Sequence, residues 1–237
     1  MALGMEAARA LEHSRIAIFG LGGVGGWCAE ALARTGAGRL ALVDFDRVAP
    51  SNVNRQTAAV SKTIGMPKTE ALASRLRDIN PGIVLDLRNE RYCAETAASF
   101  DLAAFDCVID AIDTLDSKAL LVRNALASPS TALFSSMGAA LKTDSFQIRK
   151  SVFRKVEGDG LARALRRRFR ETGGIPERDF ECVWSPERRE NAFDAPQGDT
   201  TPGKRTNGSL VHITAAFGFA LAGLAIAEIS RRAAPGI

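Results

Sequence analysis

A glycine-rich hexapeptide is the first stretch of the chain that could bind a reactive ligand. Its glycines are Gly20, Gly22, Gly23 and Gly25. They follow a short β-rich run, Arg15–Phe19, and open a helical pattern that continues to Thr35. Glycine permits a tight turn and a close approach of backbone to phosphate, and the helix N-terminus offers free N–H groups. This strand–turn–helix context predicts a nucleotide-binding loop, with a ligand-free glycine turn as the alternative.

Asp44 ends the second predicted strand, Leu40–Val43, and lies 24 positions after Gly20. A carboxylate at this place can bind a ribose hydroxyl in either an NAD-dependent dehydrogenase or an ATP-using enzyme. The stretch that follows contains Asn52, Arg55 and Gln56. A dehydrogenase has no need for such a cluster, whereas an enzyme that cleaves a triphosphate does, since arginine binds phosphate oxygens in bidentate fashion. The cluster therefore favours ATP over NAD.

Two further charged residues complete the predicted ATP site. Lys68 begins a predicted helix and can place a positive charge on the polyphosphate, while Asp113 lies just past the fourth predicted strand and can hold Mg²⁺. Taken singly, Arg55 or Lys68 fits a solvated surface charge and Asp113 fits a helix cap. Taken with the glycine loop, we predict that Arg55, Lys68 and Asp113 act in the reaction.

The elements that must position these residues alternate along the chain. The predicted strands and helices are, in order, Arg15–Phe19, Gly23–Thr35, Leu40–Val43, Lys68–Ile79, Ile83–Leu87, Cys107–Ile109, Asp116–Ala127 and Thr131–Phe134. This order predicts an α/β fold, a Rossmann-like, mostly parallel sheet with helices on both faces. The pattern weakens after Ser135, which indicates a C-terminal α+β portion. There, Phe146–Ile148 and Phe180–Val183 are predicted as antiparallel additions and Phe193–Gly208 as a loop.

Composition supports one folded domain with a local excess of positive charge. The chain has 237 residues, of which 46% are hydrophobic and 24% charged, and this excludes a disordered, collagenous or coiled-coil architecture. The net charge is +4, but residues 142–178 alone carry 11 basic and 5 acidic residues. A predicted helix, Gly160–Glu171, contributes the cluster Arg163, Arg166, Arg167 and Arg170. An anionic partner is predicted here, with a solvated helix face as the alternative.

The cysteines and one apolar run bear on location. Cys28, Cys93, Cys107 and Cys182 form no CxxC pair, which excludes a zinc site of the paired-cysteine kind. Scattered thiols without a signal-peptide pattern before Arg15 predict a cytoplasmic protein. The apolar run Ile213–Ile229 is near the lower limit for a membrane span. Because glycines interrupt it, we predict a buried core or interface helix and no stable membrane insertion.

Together these motifs resemble the ubiquitin-activating-enzyme-like (ThiF/MoeB/HesA) superfamily over about residues 15–140. The matching pieces are GLGGVG at Gly20–Gly25, DFD at Asp44–Asp46, SNVNRQ at Ser51–Gln56, GMPKTE at Gly65–Glu70 and DAID at Asp110–Asp113. The resemblance implies activation of a carboxylate by adenylylation. It assigns the ribose to Asp44, with Asp46 beside it, and Mg²⁺ to Asp113. The phosphates are assigned to Asn52, Arg55, Gln56 and Lys68.

Other segments are similar to the tRNA threonylcarbamoyladenosine dehydratase branch and extend the resemblance over nearly the whole chain. They are Ala29–Gly36, Arg77–Pro81, Val108–Asp113, Glu181–Ser185 and Thr214–Phe219. This branch implies that ATP activates the threonyl carboxylate of the modified base and that a carbamoyl nitrogen of the same base attacks it. Sulfur-carrier activators of the superfamily usually carry two CxxC pairs, absent here. Adenylylation of a small ubiquitin-like sulfur carrier is therefore the alternative.

The resemblance also implies partners and a division of labour. Residues 1–140 are expected to form the ATP-binding Rossmann-like part, and residues 141–237 a substrate-binding and dimerisation extension of the same domain. The expected partners are tRNA carrying threonylcarbamoyladenosine, a second copy of the chain, and a sulfur-delivering protein of the cysteine-desulfurase type. The family often places an arginine before the first helix, where it reaches the neighbouring subunit's ATP. Arg9 lies past that place, so either the start is truncated or that arginine is dispensable. Cys182 is interpreted as a buried small apolar residue, with a thiol nucleophile as the alternative.

Overall fold

The structure, a computed structural model, describes residues 3–190 and 208–234. The α-helices in these ranges are α1 (Met5–His13), α2 (Gly25–Thr35), α3 (Lys68–Ile79), α4 (Leu115–Leu126), α5 (Gly160–Glu171) and α6 (Val211–Ala233). The strands are β1 (Arg15–Phe19), β2 (Arg39–Val43), β3 (Val84–Arg88), β4 (Cys107–Asp110), β5 (Ala132–Ser136), β6 (Arg149–Val152) and β7 (Glu181–Trp184). The predicted loop Phe193–Gly208 lies outside the described residues except for Gly208.

The strands form one seven-stranded sheet in the order β3-β2-β1-β4-β5-β7-β6. All neighbours pair in parallel except β6, which runs antiparallel to β7. Four of the five residues of β1 and of β2 are buried, as expected for strands covered on both faces. The predicted α/β class is confirmed, and the carboxyl ends of β1, β2 and β4 meet at one edge of the sheet, where open α/β sheets bind ligands.

The C-terminal additions to the sheet differ from the prediction. The segment Phe146–Ile148 is not a strand, because a 3₁₀ turn covers Ser145–Gln147 and Phe146 is 97% exposed. The edge strand starts only at Arg149. The chain then returns through α5 and inserts β7 between β5 and β6, parallel to β5. β7 is therefore antiparallel to β6, as predicted, but parallel to β5 on its other side, which the prediction did not include.

Helices cover both faces of the sheet. Apolar residues of α1, α2, α3 and α6 form the core on one face, and those of α4 and α5 form the core on the other. Among the described residues, α6 is long and apolar enough to cross a membrane, but 56% of its most apolar window is buried within the protein. Phe217, Leu221 and Ile229 lie in the core. The prediction of a buried helix is confirmed.

A glycine allows α6 to pack closely against α2. A Cβ atom added at Gly218 would lie 2.5 Å from the carbonyl oxygen of Val24 and 2.9 Å from the backbone nitrogen of Cys28. Any larger residue would therefore push α6 away from α2. Gly36, at φ +102°, ends α2 in the left-handed conformation that glycine adopts without strain.

Candidate functional site

The glycine loop is packed so closely that two of its glycines have no room for a side chain. Gly20 has φ +86°, and a Cβ atom there would lie 2.7 Å from the carbonyl oxygen of Ala111. A Cβ atom at Gly25 would lie 1.8 Å from the carbonyl oxygen of Gly20. The loop therefore requires glycine at both positions, and it leaves the first turn of α2 at the ligand-binding edge of the sheet.

The carboxylate of Asp44 is fixed beside this loop. Its Oδ2 accepts a hydrogen bond of 2.7 Å from the backbone N–H of Leu21, and its Oδ1 accepts one of 2.8 Å from that of Asp46. Asp44 is only 8% exposed. Burial raises its pKa, and Lys68 and the two N–H groups oppose that shift. The side chain is thus held in one orientation, as a group that binds the hydroxyls of a ribose must be.

The side chain of Lys68 lies close to both carboxylates of the DFD stretch, those of Asp44 and Asp46. Its Nζ is 2.6 Å from Oδ2 of Asp46 and 3.8 Å from Oδ1 of Asp44. Its backbone N–H also donates to the carbonyl oxygen of Asp46, at 3.0 Å. Lys68 is buried, so the structure places it with these carboxylates as part of a fixed group at the end of β2. It is not a solvated surface charge.

The segment that carries Arg55 is held by its own backbone. The Oδ1 of Asn52 accepts from the N–H of Ala49 at 3.0 Å, and its carbonyl oxygen accepts from the N–H groups of Arg55 and Gln56 at 3.1 and 2.9 Å. The Nε1–H of Trp27, on α2, donates to the carbonyl oxygen of Arg55 at 3.0 Å. The side-chain oxygen of Asn52 thus organises this turn, and its amide nitrogen remains available to a ligand.

Arg55 and Asp113 come from different loops and lie near enough for their opposite charges to attract each other. Burial lowers the pKa of the Arg55 guanidinium, and attraction to Asp113 opposes that shift. The Nη1 of Arg55 donates to the carbonyl oxygen of Ser51 at 2.8 Å. Gln56 is buried, and its Nε2 would be 3.8 Å from a Cβ atom added at Gly22. The structure therefore brings the side-chain amide of Gln56 next to the glycine loop.

A network around the buried carboxylate of Glu30, which was not predicted, holds this segment against the helices. Both carboxylate oxygens of Glu30, on α2, accept from Arg75 of α3, at 2.6 and 3.1 Å. Glu30 also accepts from the hydroxyl of Thr57 at 2.7 Å and from Arg34. Despite desolvation, which raises it, the hydrogen bonds from Arg75, Thr57 and Arg34 lower the pKa of Glu30 to about 2. Thr57 directly follows Arg55 and Gln56, so this network steadies them.

A second unpredicted network lies beneath Asp113. The Nζ of Lys118, on α4, is 2.8 Å from Oδ2 of Asp110, and neither side chain is exposed. The hydroxyl of Ser135 donates to the same Oδ2 at 2.6 Å. Apart from the i,i+4 pair Glu30–Arg34 on α2, spacing along the chain gave no signal for either network. The other partners are brought together only when helices pack against each other or against the sheet.

The loop that follows β5 starts at the same edge of the sheet, where the carboxyl ends of the parallel strands lie. The carboxylate of Glu187 accepts from the backbone N–H groups of Thr143 and Asp144 at 2.9 and 3.0 Å, and these bonds, with the Thr143 hydroxyl and Arg189, lower its pKa to about 2. The N–H of Leu141 donates to the carbonyl oxygen of Gly208 at 2.9 Å. The residues on either side of the 191–207 segment are thus anchored on the loop that follows β5.

The arginines of α5 divide into two kinds. Arg163, Arg167 and Arg170 are exposed. Arg166 was predicted as part of the same cluster, but the structure shows that its guanidinium bonds within the protein. Its Nη2 donates to the carbonyl oxygens of Phe153 and Val156 at 2.7 and 2.6 Å, and its guanidinium lies over the Phe153 ring. This guanidinium is committed to internal bonds. The exposed charge of α5 is therefore smaller than the sequence indicates.

Cys182 is fully buried in β7. Desolvation raises the pKa of its thiol well above the usual value. A neutral, buried thiol cannot act as a nucleophile toward a bulky substrate, and the interpretation of Cys182 as a small apolar residue is confirmed.

Proteins of known function resemble this chain over most of its length. The tRNA threonylcarbamoyladenosine dehydratase of Escherichia coli is 33% identical over 254 residues, which cover 98% of this chain and 91% of that protein. The enzyme of the same name from Bacillus subtilis is 40% identical over 173 residues, or 73% of this chain and 68% of that protein. The molybdopterin-synthase adenylyltransferase of E. coli is 37% identical over 169 residues, or 70% of this chain and 64% of that protein.

Solved structures extend this likeness to three dimensions. The crystal structure of the E. coli dehydratase in complex with ATP has a TM-score of 0.85 to this chain, with 31% identity, and covers 97% of this chain and 91% of that one. Its complex with AMP gives the same TM-score and coverage. The ThiF family model matches residues 1–235. This match and the relatives above show that this chain, in which the glycine loop lies beside the fixed Asp44, belongs to the ThiF family.

Proposed function

We propose that this chain catalyses the ATP-dependent dehydration of threonylcarbamoyladenosine in tRNA, which cyclises the modified base. The observation that carries the proposal is the carboxylate of Asp44, held by the N–H groups of Leu21 and Asp46 directly beside the glycine turn. The relatives of that name, one of them solved with ATP, support the substrate. In this reaction the threonyl carboxylate attacks the α-phosphorus of ATP and pyrophosphate leaves. The carbamoyl nitrogen then attacks the activated carbonyl and AMP leaves.

The residues at the sheet edge have distinct proposed roles. Asp44 binds the ribose hydroxyls, and Asp46 holds Lys68 beside it. The N–H of Gly20 donates to the carbonyl oxygen of Val43 at 2.9 Å, so Gly20 shapes the turn, and the backbone N–H groups of Gly22, Gly23 and Gly25 are the ones proposed to face the phosphates. Arg55, Gln56 and the amide nitrogen of Asn52 neutralise and orient the polyphosphate, and Lys68 adds positive charge. Catalysis in this scheme consists of positioning and charge neutralisation, and no protein nucleophile is needed because the attacking nitrogen belongs to the substrate.

Asp113 is the proposed magnesium-linked acid. Its side chain is exposed at the edge of the sheet, and the hydroxyl of Thr114 donates to its Oδ1 at 3.4 Å. An accessible carboxylate opposite Arg55 fits Mg²⁺, which is usually held by one or two carboxylates together with phosphate oxygens and water. When bound, the ion would neutralise charge on the phosphates. Asp113 itself would orient the triphosphate relative to the glycine loop.

Residues 141–237 are proposed to bind the tRNA and a second copy of the chain, and residues 1–140 to bind ATP. Arg163, Arg167 and Arg170 are exposed on α5, and we propose that they contact phosphates of the tRNA backbone. Phe219 on α6 is 51% exposed although it packs edge-on against Trp27 of α2, and this exposed apolar surface is the proposed contact with the second copy. The sulfur-delivering partner and the cytoplasmic location stay predictions.

The direct test is conversion of the modified base. Purified protein, ATP and Mg²⁺ are incubated with tRNA that carries threonylcarbamoyladenosine, and the nucleosides are measured by mass spectrometry. The expected product is lighter by one water, and its formation stops when ATP is omitted or when Asp44→Ala replaces the wild type. Unchanged nucleoside under all conditions would refute the proposal.

Adenylylation of a small ubiquitin-like sulfur carrier is the second candidate, favoured by the 37% identity to a molybdopterin-synthase adenylyltransferase. Exchange of pyrophosphate into ATP that a carrier ending in Gly-Gly stimulates, and that the tRNA does not, would establish this activity instead.

A further inference from the structure

The ion pair between Lys118 and Asp110 is fully buried, with 2.8 Å between Nζ and Oδ2 and both side chains 0% exposed. Removing two charges from water is costly, and a well-packed apolar pair of similar volume is often as stable or more stable. Stability alone therefore gives little reason for this pair. The other hydrogen bonds that Lys118 and Asp110 make are more informative.

Both charged groups bond to the backbone just before Asp113. The Nζ of Lys118 donates to the carbonyl oxygen of Ile112 at 3.0 Å, and Oδ1 of Asp110 accepts from the N–H of Ile112 at 3.1 Å. The carbonyl belongs to the peptide unit that joins Ile112 to Asp113. The hydroxyl of Ser135 completes the group with its bond of 2.6 Å to Oδ2 of Asp110. Residue 112 is thus held through both its N–H and its C=O.

The same turn is the surface on which the glycine loop rests. The N–H of Ala111 donates to the carbonyl oxygen of Phe19 at 2.8 Å, and a Cβ atom at Gly20 would lie 2.7 Å from the carbonyl oxygen of Ala111. The turn therefore has the glycine loop on one side and carries Asp113 at its end. A displacement of this turn would change the distance between the two.

We propose that Lys118 is a positioning residue of the nucleotide site, which acts with Asp110 and Ser135 to set the position of Asp113 relative to the glycine loop. Lys118 touches no ligand, because it is buried and bonded only to Asp110 and the Ile112 carbonyl among the described residues. Its effect falls on the part of nucleotide binding that depends on Mg²⁺. This inference rests on the proposed function, since Asp113 is the proposed magnesium-linked acid.

The test separates positioning from stability with a neutral double variant. Lys118→Met alone leaves the Asp110 carboxylate buried without its counter-charge and is expected to lower Tm strongly. Asp110→Asn with Lys118→Met removes both charges, keeps an acceptor for the Ile112 N–H, and loses the donor to the Ile112 carbonyl. Binding of a non-hydrolysable ATP analogue is measured by calorimetry with Mg²⁺ and with EDTA, beside Tm. Lys62→Met, at an exposed lysine, is the control.

We expect Mg²⁺ to increase the analogue's affinity for the wild type and for Lys62→Met equally. In the double variant this gain should fall by about tenfold, the size of effect seen when groups that orient a metal ligand are removed. Affinity in EDTA should change by less than about twofold, as expected for a loss confined to the metal. An unchanged gain, or equal losses with and without Mg²⁺, would overturn the proposal.

Ser135→Ala keeps the inference testable should the double variant not fold. It removes one hydrogen bond and no charge, and it should reduce the Mg²⁺-dependent gain by about threefold. An unchanged gain in that variant would equally overturn the proposal. A wild type that binds no ATP analogue under any condition would instead refute the proposed function itself.

Discussion

The nucleotide edge of the sheet and the basic helix α5 hold their charges in opposite ways. At the first, Asp44 and Lys68 are only 8% and 7% exposed. Asp44 accepts a hydrogen bond from the backbone N–H of Leu21, and Lys68 forms an ion pair with Asp46. Arg163, Arg167 and Arg170 are exposed on α5. Groups fixed before the ligand arrives suit a reaction that depends on charge placed to within an ångström, whereas exposed arginines suit contacts to a phosphate backbone at variable positions. Charged side chains therefore have different uses in the two regions.

The largest expected effect is at the fixed edge. Arg55→Ala should lower kcat/KM for ATP-dependent cyclisation by about a hundredfold, because one preorganised donor to a developing charge is lost. Arg39→Ala, at an exposed arginine where β2 begins, removes the same charge at the opposite edge and is the matched control. Equal rates for the two variants, measured at subsaturating ATP, would contradict the assignment of Arg55.

A smaller effect is expected from the exposed charges of α5. Replacing Arg163, Arg167 and Arg170 together by alanine should weaken tRNA binding about thirtyfold and reduce the slope of log affinity against log salt by about 2. Tm should stay the same because these side chains extend into solvent. Filter binding or fluorescence titration at several salt concentrations measures both quantities. A slope equal to that of the wild type would show that α5 is a solvated helix face.

Arg166 marks the boundary between the two kinds of charge. Although it lies in α5, its guanidinium bonds to the carbonyl oxygens of Phe153 and Val156. Arg166→Ala should therefore cost about 1.5 kcal/mol of unfolding free energy, the cost of charged hydrogen bonds to buried acceptors. The salt slope of tRNA binding should not change. The opposite pattern in denaturant melts and titrations would place Arg166 with the exposed arginines.

The smallest effect concerns pH and the Glu30 network. The pKa of Glu30 lies at about 2 in the folded chain, below its ordinary value of 4.5. A lowered folded-state pKa stabilises the fold above the unfolded value, and this contribution is lost as pH falls from about 4.5 toward about 2. Because Arg34 and Arg75 are partly solvated, we expect a loss of about 1 kcal/mol between about pH 6 and pH 3. Glu30→Gln should flatten this part of the pH profile in urea melts.

The sequence predicted what depends on local spacing. The helices α3 and α5 and the strand β1 begin and end where their patterns indicated, because apolar periodicity and the flanking Gly, Pro and Asp are local signals. The glycine loop and Asp44 were identified for the same reason. Their proximity followed from the rule that parallel strands present their carboxyl ends at one edge.

Contacts between residues far apart in the chain could not be predicted in this way. Glu30 and Arg75 are separated by 45 positions, and neither stands out within its own helix. The parallel direction of β7 depends on the crossover through α5, which a four-residue strand pattern does not encode. In the sequence Arg166 cannot be distinguished from the exposed arginines of α5, because its bonds to the carbonyl oxygens of Phe153 and Val156 form only in the folded chain. In each case the contact is determined by how distant segments pack in the folded chain, and not by the local sequence.

The direction of α6 determines where a tag or a surface tether can be attached without blocking the site. Near its start, Thr214 lies beside Gly23 of the ligand edge, and near its end Ile229 and Arg232 lie with His13, Ser14 and Asp106, where β1 and β4 begin. The helix thus runs from one edge of the sheet to the other and ends beside α1. Affinity tags, fluorophores or surface tethers placed beyond α6 are therefore attached on the side away from the nucleotide. Immobilised protein should present the ATP-binding edge to solution.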